Sequence, residues 1–246
     1  DSHGRALWAL GAIIGRASDP GRQSLAGDLF HAALPAVTAF TSPRAWAYAL
    51  LGIDEYLKAF QGDSGAEARR QELAERLLGL FERTSRPDWP WFEDSVTYCN
   101  GRLPQALIVS GDRMHRTDML EAGVRSLDWL ISVQSSADRQ FAAIGSGGFY
   151  ERGASPARFD QPPLVASPMV SACLDAYRVH GDGRWLVHAR WAFNWFLGEN
   201  HLQHWLFDPA TGGCRDGLHI DRPNQNQGAE ATLSFLLALH ELRTIP

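Results

Sequence analysis

Ala166-Ser167-Pro168-Met169-Val170-Ser171-Ala172-Cys173 carries no charge, is made of small or apolar side chains, and lies inside a longer segment with helical spacing. A helix that is apolar on most of its sides must be surrounded by protein. Glu67-Ala68-Arg69-Arg70-Gln71-Glu72-Leu73-Ala74-Glu75-Arg76 has the opposite character, with charge at most positions and a face meant for water. Working outward from these two stretches, segments of helical period begin near residues 3, 23, 42, 66, 102, 117, 163, 183 and 227. Those near 3, 42, 102, 163 and 227 are rich in Ala, Gly, Ser and apolar residues, whereas those near 66, 117 and 183 carry more Arg, Glu and Asp. The first set reads as inner helices and the second as outer ones. Between Arg5 and Arg16, Leu7, Leu10, Ile13 and Ile14 form the stripe of a buried helix face. Ser42-Pro43 opens another helix, with Ser as N-cap and Pro at the first helical position, followed by Trp46, Ala49, Leu50 and Ile53.

The connections alternate as well. Gly62-Asp63-Ser64-Gly65 and His180-Gly181-Asp182-Gly183 are short polar turns. The connections leading into inner helices are long, spanning about 84–101, 136–162 and 200–226, and loops of that length are uncommon in compact domains unless they serve a function. Within the middle one, Phe141-Ala142-Ala143-Ile144 and Gly147-Gly148-Phe149-Tyr150 predict a short β-hairpin. In an inner-outer-inner array all three long loops emerge at one end, which becomes the candidate site.

Composition narrows the function classes. A chain of 246 residues, 45% hydrophobic and 21% charged, has the balance of a packed globular protein. A net charge of −5 argues against an electrostatic grip on nucleic acid or acidic lipid. Cys99, Cys173 and Cys214 are odd in number, far apart and form no CxxC pair, which points to a reducing, cytoplasmic setting rather than disulfides or zinc. No stretch reaches the roughly 20 apolar residues of a membrane span. Asp1-Ser2-His3-Gly4-Arg5 lacks the pattern of a signal peptide, and because a helix begins so close to the start, residues 1–246 are read as one domain from a longer chain.

Each long loop brings aromatic, amide and carboxylate side chains together. The first holds Trp89, Trp91, Glu93, Asp94, Tyr98 and Asn100; the second Tyr150, Arg152, Asp160 and Gln161; the third Asp216, His219, Asn226, Gln227 and Glu230. His3 and Arg5, at the start of the first helix, join this set. Sugar rings offer apolar C–H faces to aromatic rings and a rim of hydroxyls to amides, carboxylates and Arg, so the mixture suits a carbohydrate. Glycoside hydrolysis needs two carboxyls, one kept protonated and one ionised. Asp94, flanked by Trp91-Phe92 and Tyr98, and Asp160 are the acid and base candidates, with Glu230 in reserve; for any single Asp, capping a helix start is the competing reading. The run Asn224 to Gln227 divides in the same way between binding hydroxyls and capping backbone. His201 and His204 have metal-like spacing but no third ligand, so neither metal nor another cofactor is expected. Ser146 lacks the strand-to-helix setting of a nucleophile.

Phe159-Asp160-Gln161-Pro162-Pro163 and Asn226-Gln227-Gly228-Ala229-Glu230 resemble segments of the six-hairpin, (α/α)6-toroid carbohydrate-active proteins. Asp1-Ser2-His3-Gly4-Arg5-Ala6-Leu7-Trp8, Trp91-Phe92-Glu93-Asp94 and Gly212-Gly213-Cys214-Arg215-Asp216-Gly217-Leu218 look like an uncharacterised helical region found behind family 4 glycosyltransferase modules in bacteria. That resemblance covers essentially the whole chain. It implies an all-α toroid of alternating inner and outer helices, incomplete because nine helices stand where a full barrel has twelve, and an association with saccharides. Glycosyltransferase activity does not follow, since the strand-helix alternation of a nucleotide-sugar fold is missing. Three readings emerge: a glycoside hydrolase, with sugar epimerisation through His3 and His219 as a nonhydrolytic variant; a noncatalytic glycan-binding or accessory module joined to a glycosyltransferase; and a helical-repeat scaffold.

Overall fold

The computed structural model describes residues 1–138 and 140–245. Among them are α1 (Ser2–Arg16), α2 (Pro20–Ala33), α3 (Pro43–Ala59), α4 (Ser64–Thr84), α5 (Arg102–Met114), α6 (Thr117–Val133), α7 (Pro163–His180), α8 (Arg184–Asn194) and α9 (Ala229–Arg243), with a 3-10 segment at Leu34–Ala39. All nine expected helices are present. Asp19 and Asp63 cap α2 and α4, each accepting hydrogen bonds from the first free backbone N–H groups. Pro20, Pro43 and Pro163 open α2, α3 and α7, where a missing N–H costs nothing. Ser42 stands at the N-cap of α3 without capping it; its hydroxyl donates to Asp1 Oδ1 (3.0 Å) and ties α3 to the start of α1.

The odd-numbered helices form the inner layer. α1 packs on α3, α3 on α5, α5 on α7 and α7 on α9, while α2, α4, α6 and α8 cover the outside. This is the toroid of alternating inner and outer helices. Small residues make the tightest inner contact. A Cβ on Gly11 would lie 2.1 Å from the Gly52 carbonyl oxygen, and one on Gly52 would lie 2.5 Å from that of Leu7. Side chains of any size would push α1 and α3 apart. Ala166, Met169, Val170, Ala172, Cys173 and Leu174 of α7 are all fully buried, as the charge-free stretch required.

The predicted hairpin does not form. β1 (Ser95–Val96) and β2 (Tyr150–Glu151) pair antiparallel, but they belong to two different long loops and staple one to the other. Phe141, Ala143 and Ile144 are each at most 2% exposed and sink into the core instead of alternating between two faces. Gly148 (φ 132°) and Phe149 (φ 57°) leave extended geometry just before Tyr150.

Candidate functional site

The long loops span 85–101, 134–162 and 195–228, and each runs into the N-terminus of an inner helix. Arg44, in the first turn of α3, organises the first of them. Its guanidinium donates to the Tyr98 carbonyl (2.7 Å), Glu93 Oε2 (2.7 Å), Thr97 Oγ1 (2.7 Å) and Asn100 Oδ1 (3.3 Å), and lies over the Tyr98 ring. Tyr98 in turn donates to Asp1 Oδ2 (2.7 Å). Asn100, fully buried, accepts from the Thr97 N–H and donates to its carbonyl. Glu93, Tyr98 and Asn100, expected to touch a ligand, therefore hold the loop to α1 and α3.

The aromatic residues are divided by burial. Trp89 and Trp91 are 3% and 0% exposed, and their indole N–H groups donate to the Glu93 and Ser95 carbonyls. They pack with Trp129 and, for Trp89, Tyr150, as core beneath the loop. The expected aromatic enclosure of Asp94 is thus absent: the Asp94 side chain is 80% exposed and pairs with Arg152 (3.0 Å), while Arg152 also donates to the Thr84 carbonyl.

Asp160 and His219 form a second cluster, with Nδ1 of the imidazole 2.5 Å from Oδ1 of the carboxylate. Gln161, next in sequence, is buried and accepts from the Trp195 indole, so it is structural. His201 lies against the His219 carbonyl and His204 against that of Leu202. His3 reaches the Ala33 carbonyl at the end of α2 and packs edge-on against Phe40.

The third cluster stands at the start of α9. Asp216 accepts from the Gly228 N–H (2.7 Å) and from the Asn226 amide, capping that helix from across the loop. Gln227 bridges Thr211 and Asp208. Glu230 is exposed, and among the described residues its side chain has no hydrogen bond or ion pair, while its backbone carbonyl accepts from the Ser234 hydroxyl. With Asp216, Pro163 and Leu164 it lines a cavity of about 260 Å³ between the starts of α7 and α9. Its charge acts on Arg5, whose guanidinium lies 4.8 Å from the Tyr48 ring centroid and 3.4 Å from Cys99 Sγ. Burial pushes the Tyr48 hydroxyl up to about 12. Arg102 stacks on Trp8 (4.5 Å) beneath them.

Asp94, Asp160 and Glu230 thus occupy three separate hydrogen-bonding environments. Among the described residues Arg5 on α1 and Glu230 on α9 make no ion pair with each other, and the Glu230 charge adds only a minor push to the raised pKa of Arg5. Tyr48, Arg102 and Trp8 were missed by the sequence reading, because each sits inside a helix where its type reads as core or surface; only their shared inner-helix position could have pointed to them.

A scan against protein-family models gives no match, and a search of curated proteins gives none either. Solved structures do match the fold. A GH76 alpha-mannanase from Bacteroides thetaiotaomicron is 11% identical with a TM-score of 0.68, over 98% of this chain and 68% of that one. An unsaturated glucuronyl hydrolase specific for heparin gives 12% and 0.66, over 98% and 67%. A D-mannose isomerase gives 13% and 0.65, over 99% and 70%. The shared fold is the six-hairpin glycosidase-like toroid.

Proposed function

We propose that residues 1–246 are a carbohydrate-active domain that binds a saccharide at the loop-bearing end of the helix ring, beside Arg5 and Glu230. The observation that carries this reading is a loop-end cavity with the Glu230 side chain at its edge, its charge felt at the Arg5 guanidinium. A guanidinium offers donors and a carboxylate acceptors to sugar hydroxyls. The names of the structural matches, a mannanase, a glucuronyl hydrolase and a mannose isomerase, add support from the same fold. Asp94, Asp160 and Asp216 are each engaged by Arg152, His219 and the start of α9, which favours binding over two-carboxylate hydrolysis. The module then serves as an accessory to a family 4 glycosyltransferase in the same polypeptide, a role supported by the resemblance of its motifs, and works in the bacterial cytoplasm, where its three free cysteines stay reduced.

Hydrolysis is the second reading, favoured by Glu230 itself: an unengaged carboxyl can serve as the acid, with Asp160 or Asp94 as its counterpart. Calorimetric titration and a reducing-end assay against a saccharide panel separate the two. Binding without turnover, lost in Glu230→Gln and kept in Asp94→Asn, supports the accessory module. Turnover lost in both Glu230→Gln and Asp160→Asn establishes hydrolysis. Absence of any saccharide binding overturns both.

A further inference from the structure

A further cavity lies away from the loops. About 620 Å³ in volume, it sits on the axis of the ring among the C-terminal halves of the inner helices, with all five of them contributing walls. Its volume is in the range of small-molecule sites, about 300–1,000 Å³. Trp8 and Gln105 form its inner part, and Arg113 and Thr244 line it near the far helix ends. Nothing in the loop-end reading uses it.

Its walls are polar in a particular way. Four cations and four carboxylates are joined in ion pairs: Arg16 with Glu55, Lys58 with Glu55 and Asp54, Arg113 with Asp54 and Asp112, and Arg178 with Asp175. Asp54 and Glu55 are only 5% and 8% exposed, so these charges are held against a desolvation cost of several kcal/mol per ion. Gln105 accepts from Arg102 and donates to Asp175, fixing the inner wall. Glu241 adds a fifth carboxyl, whose pKa burial raises, and His240 stands beside it on α9. The four cations and four of the five carboxyls are already paired with one another, so a charged ligand would compete with an existing pair. Hydroxyl groups need not: each can accept from a spare guanidinium or ammonium N–H and donate to a spare carboxylate lone pair. Trp8 supplies apolar surface for a C–H face.

We propose that this axial cavity is a second ligand site, separate from the loop-bearing end, and that it takes an uncharged polyhydroxylated molecule of monosaccharide size. The assignment stands on the cavity and its ion-paired lining and does not depend on the saccharide site proposed above.

Ligand-observed NMR of the folded protein with a neutral hexose, a hexosamine and a hexuronate of the same ring size tests it. Ala12→Trp and Leu237→Trp fill the cavity from α1 and from α9, and thermal melts identify the variant that keeps the fold. The neutral sugar is expected to bind best, and either folded filling variant to weaken it at least about tenfold. Loss in Glu230→Gln with retention in the filling variants would place the only binding at the loop-bearing end and overturn the proposal. Preference for the hexosamine or hexuronate, or no binding by any of the three, would overturn it as well.

Discussion

Arg44 is 4% exposed and holds four acceptors on one loop, so it does for the first long loop what no backbone ladder does. Removing it strands Glu93 and the buried Asn100 amide. Arg44→Ala is expected to cost about 3 kcal/mol or more in denaturant unfolding, and Arg44→Lys to recover little, because one ammonium cannot reproduce a planar fork. A loss below about 0.5 kcal/mol would show that the loop is held by its buried tryptophans alone. Glu55 sets the acid response. Burial would raise its carboxyl, but the Arg16 hydrogen bonds and the Lys58 charge outweigh that, leaving the value below the ordinary 4.5. A carboxylate lowered on folding stabilises the protein above its unfolded pKa and loses that contribution as pH falls through the folded one. The melting temperature should therefore drop as pH falls below about 4.5, and drop less in Glu55→Gln. An equal drop in both proteins would assign the acid response to other carboxylates. The Arg44 partners lie about 50 residues away in sequence, so no local pattern singles Arg44 out.

At the scale of elements, the contact between α1 and α3 rests on missing side chains. Gly4, Gly11 and Gly15 of α1 face Ala45, Gly52 and Glu55 of α3, and a Cβ at any of the three would come within 2.8 Å of an α3 carbonyl oxygen. Gly11→Ala and Gly52→Ala should each destabilise by about 2 kcal/mol or more, against the usual gain of Ala over Gly inside a helix. Gly27→Ala in α2, where nothing lies within 4 Å of the new Cβ, is the control and should stabilise slightly. Equal effects at all three positions would mean that α1 can shift without penalty. The helices themselves were legible from spacing, caps and prolines, since those signals are local. The β-pairing was not, because Ser95–Val96 and Tyr150–Glu151 meet only after two helices have folded between them.

For the whole molecule, the ring has an unpartnered side. α9 exposes Leu233 (57%), Leu236 (45%) and Leu237 (38%), and on α1 and α2 Ile13, Leu25 and Leu29 are exposed as well. Exposed apolar stripes promote association. Leu233→Gln with Leu236→Gln should leave the unfolding free energy of this chain within about 1 kcal/mol and reduce self-association in sedimentation velocity. A large destabilisation would mean that the stripe packs against the rest of this chain in solution.

The sequence by itself determined the expected helices, the inner or outer role of all of them but α2, and the end of the ring where the loops gather, because these follow from periodicity and composition within single segments. It also put Arg5 and Glu230 among the site residues. Tertiary structure alone decided which loop residues are core: Trp89, Trp91, Asn100 and Gln161 have the chemistry of sugar ligands and are buried. It alone separated Asp94, Asp160 and Glu230 into different clusters, and it alone joined Arg16, Asp54, Glu55, Lys58 and Arg178 around the axial cavity. Burial and convergence depend on how segments far apart in the chain pack, and no pattern within one segment encodes them.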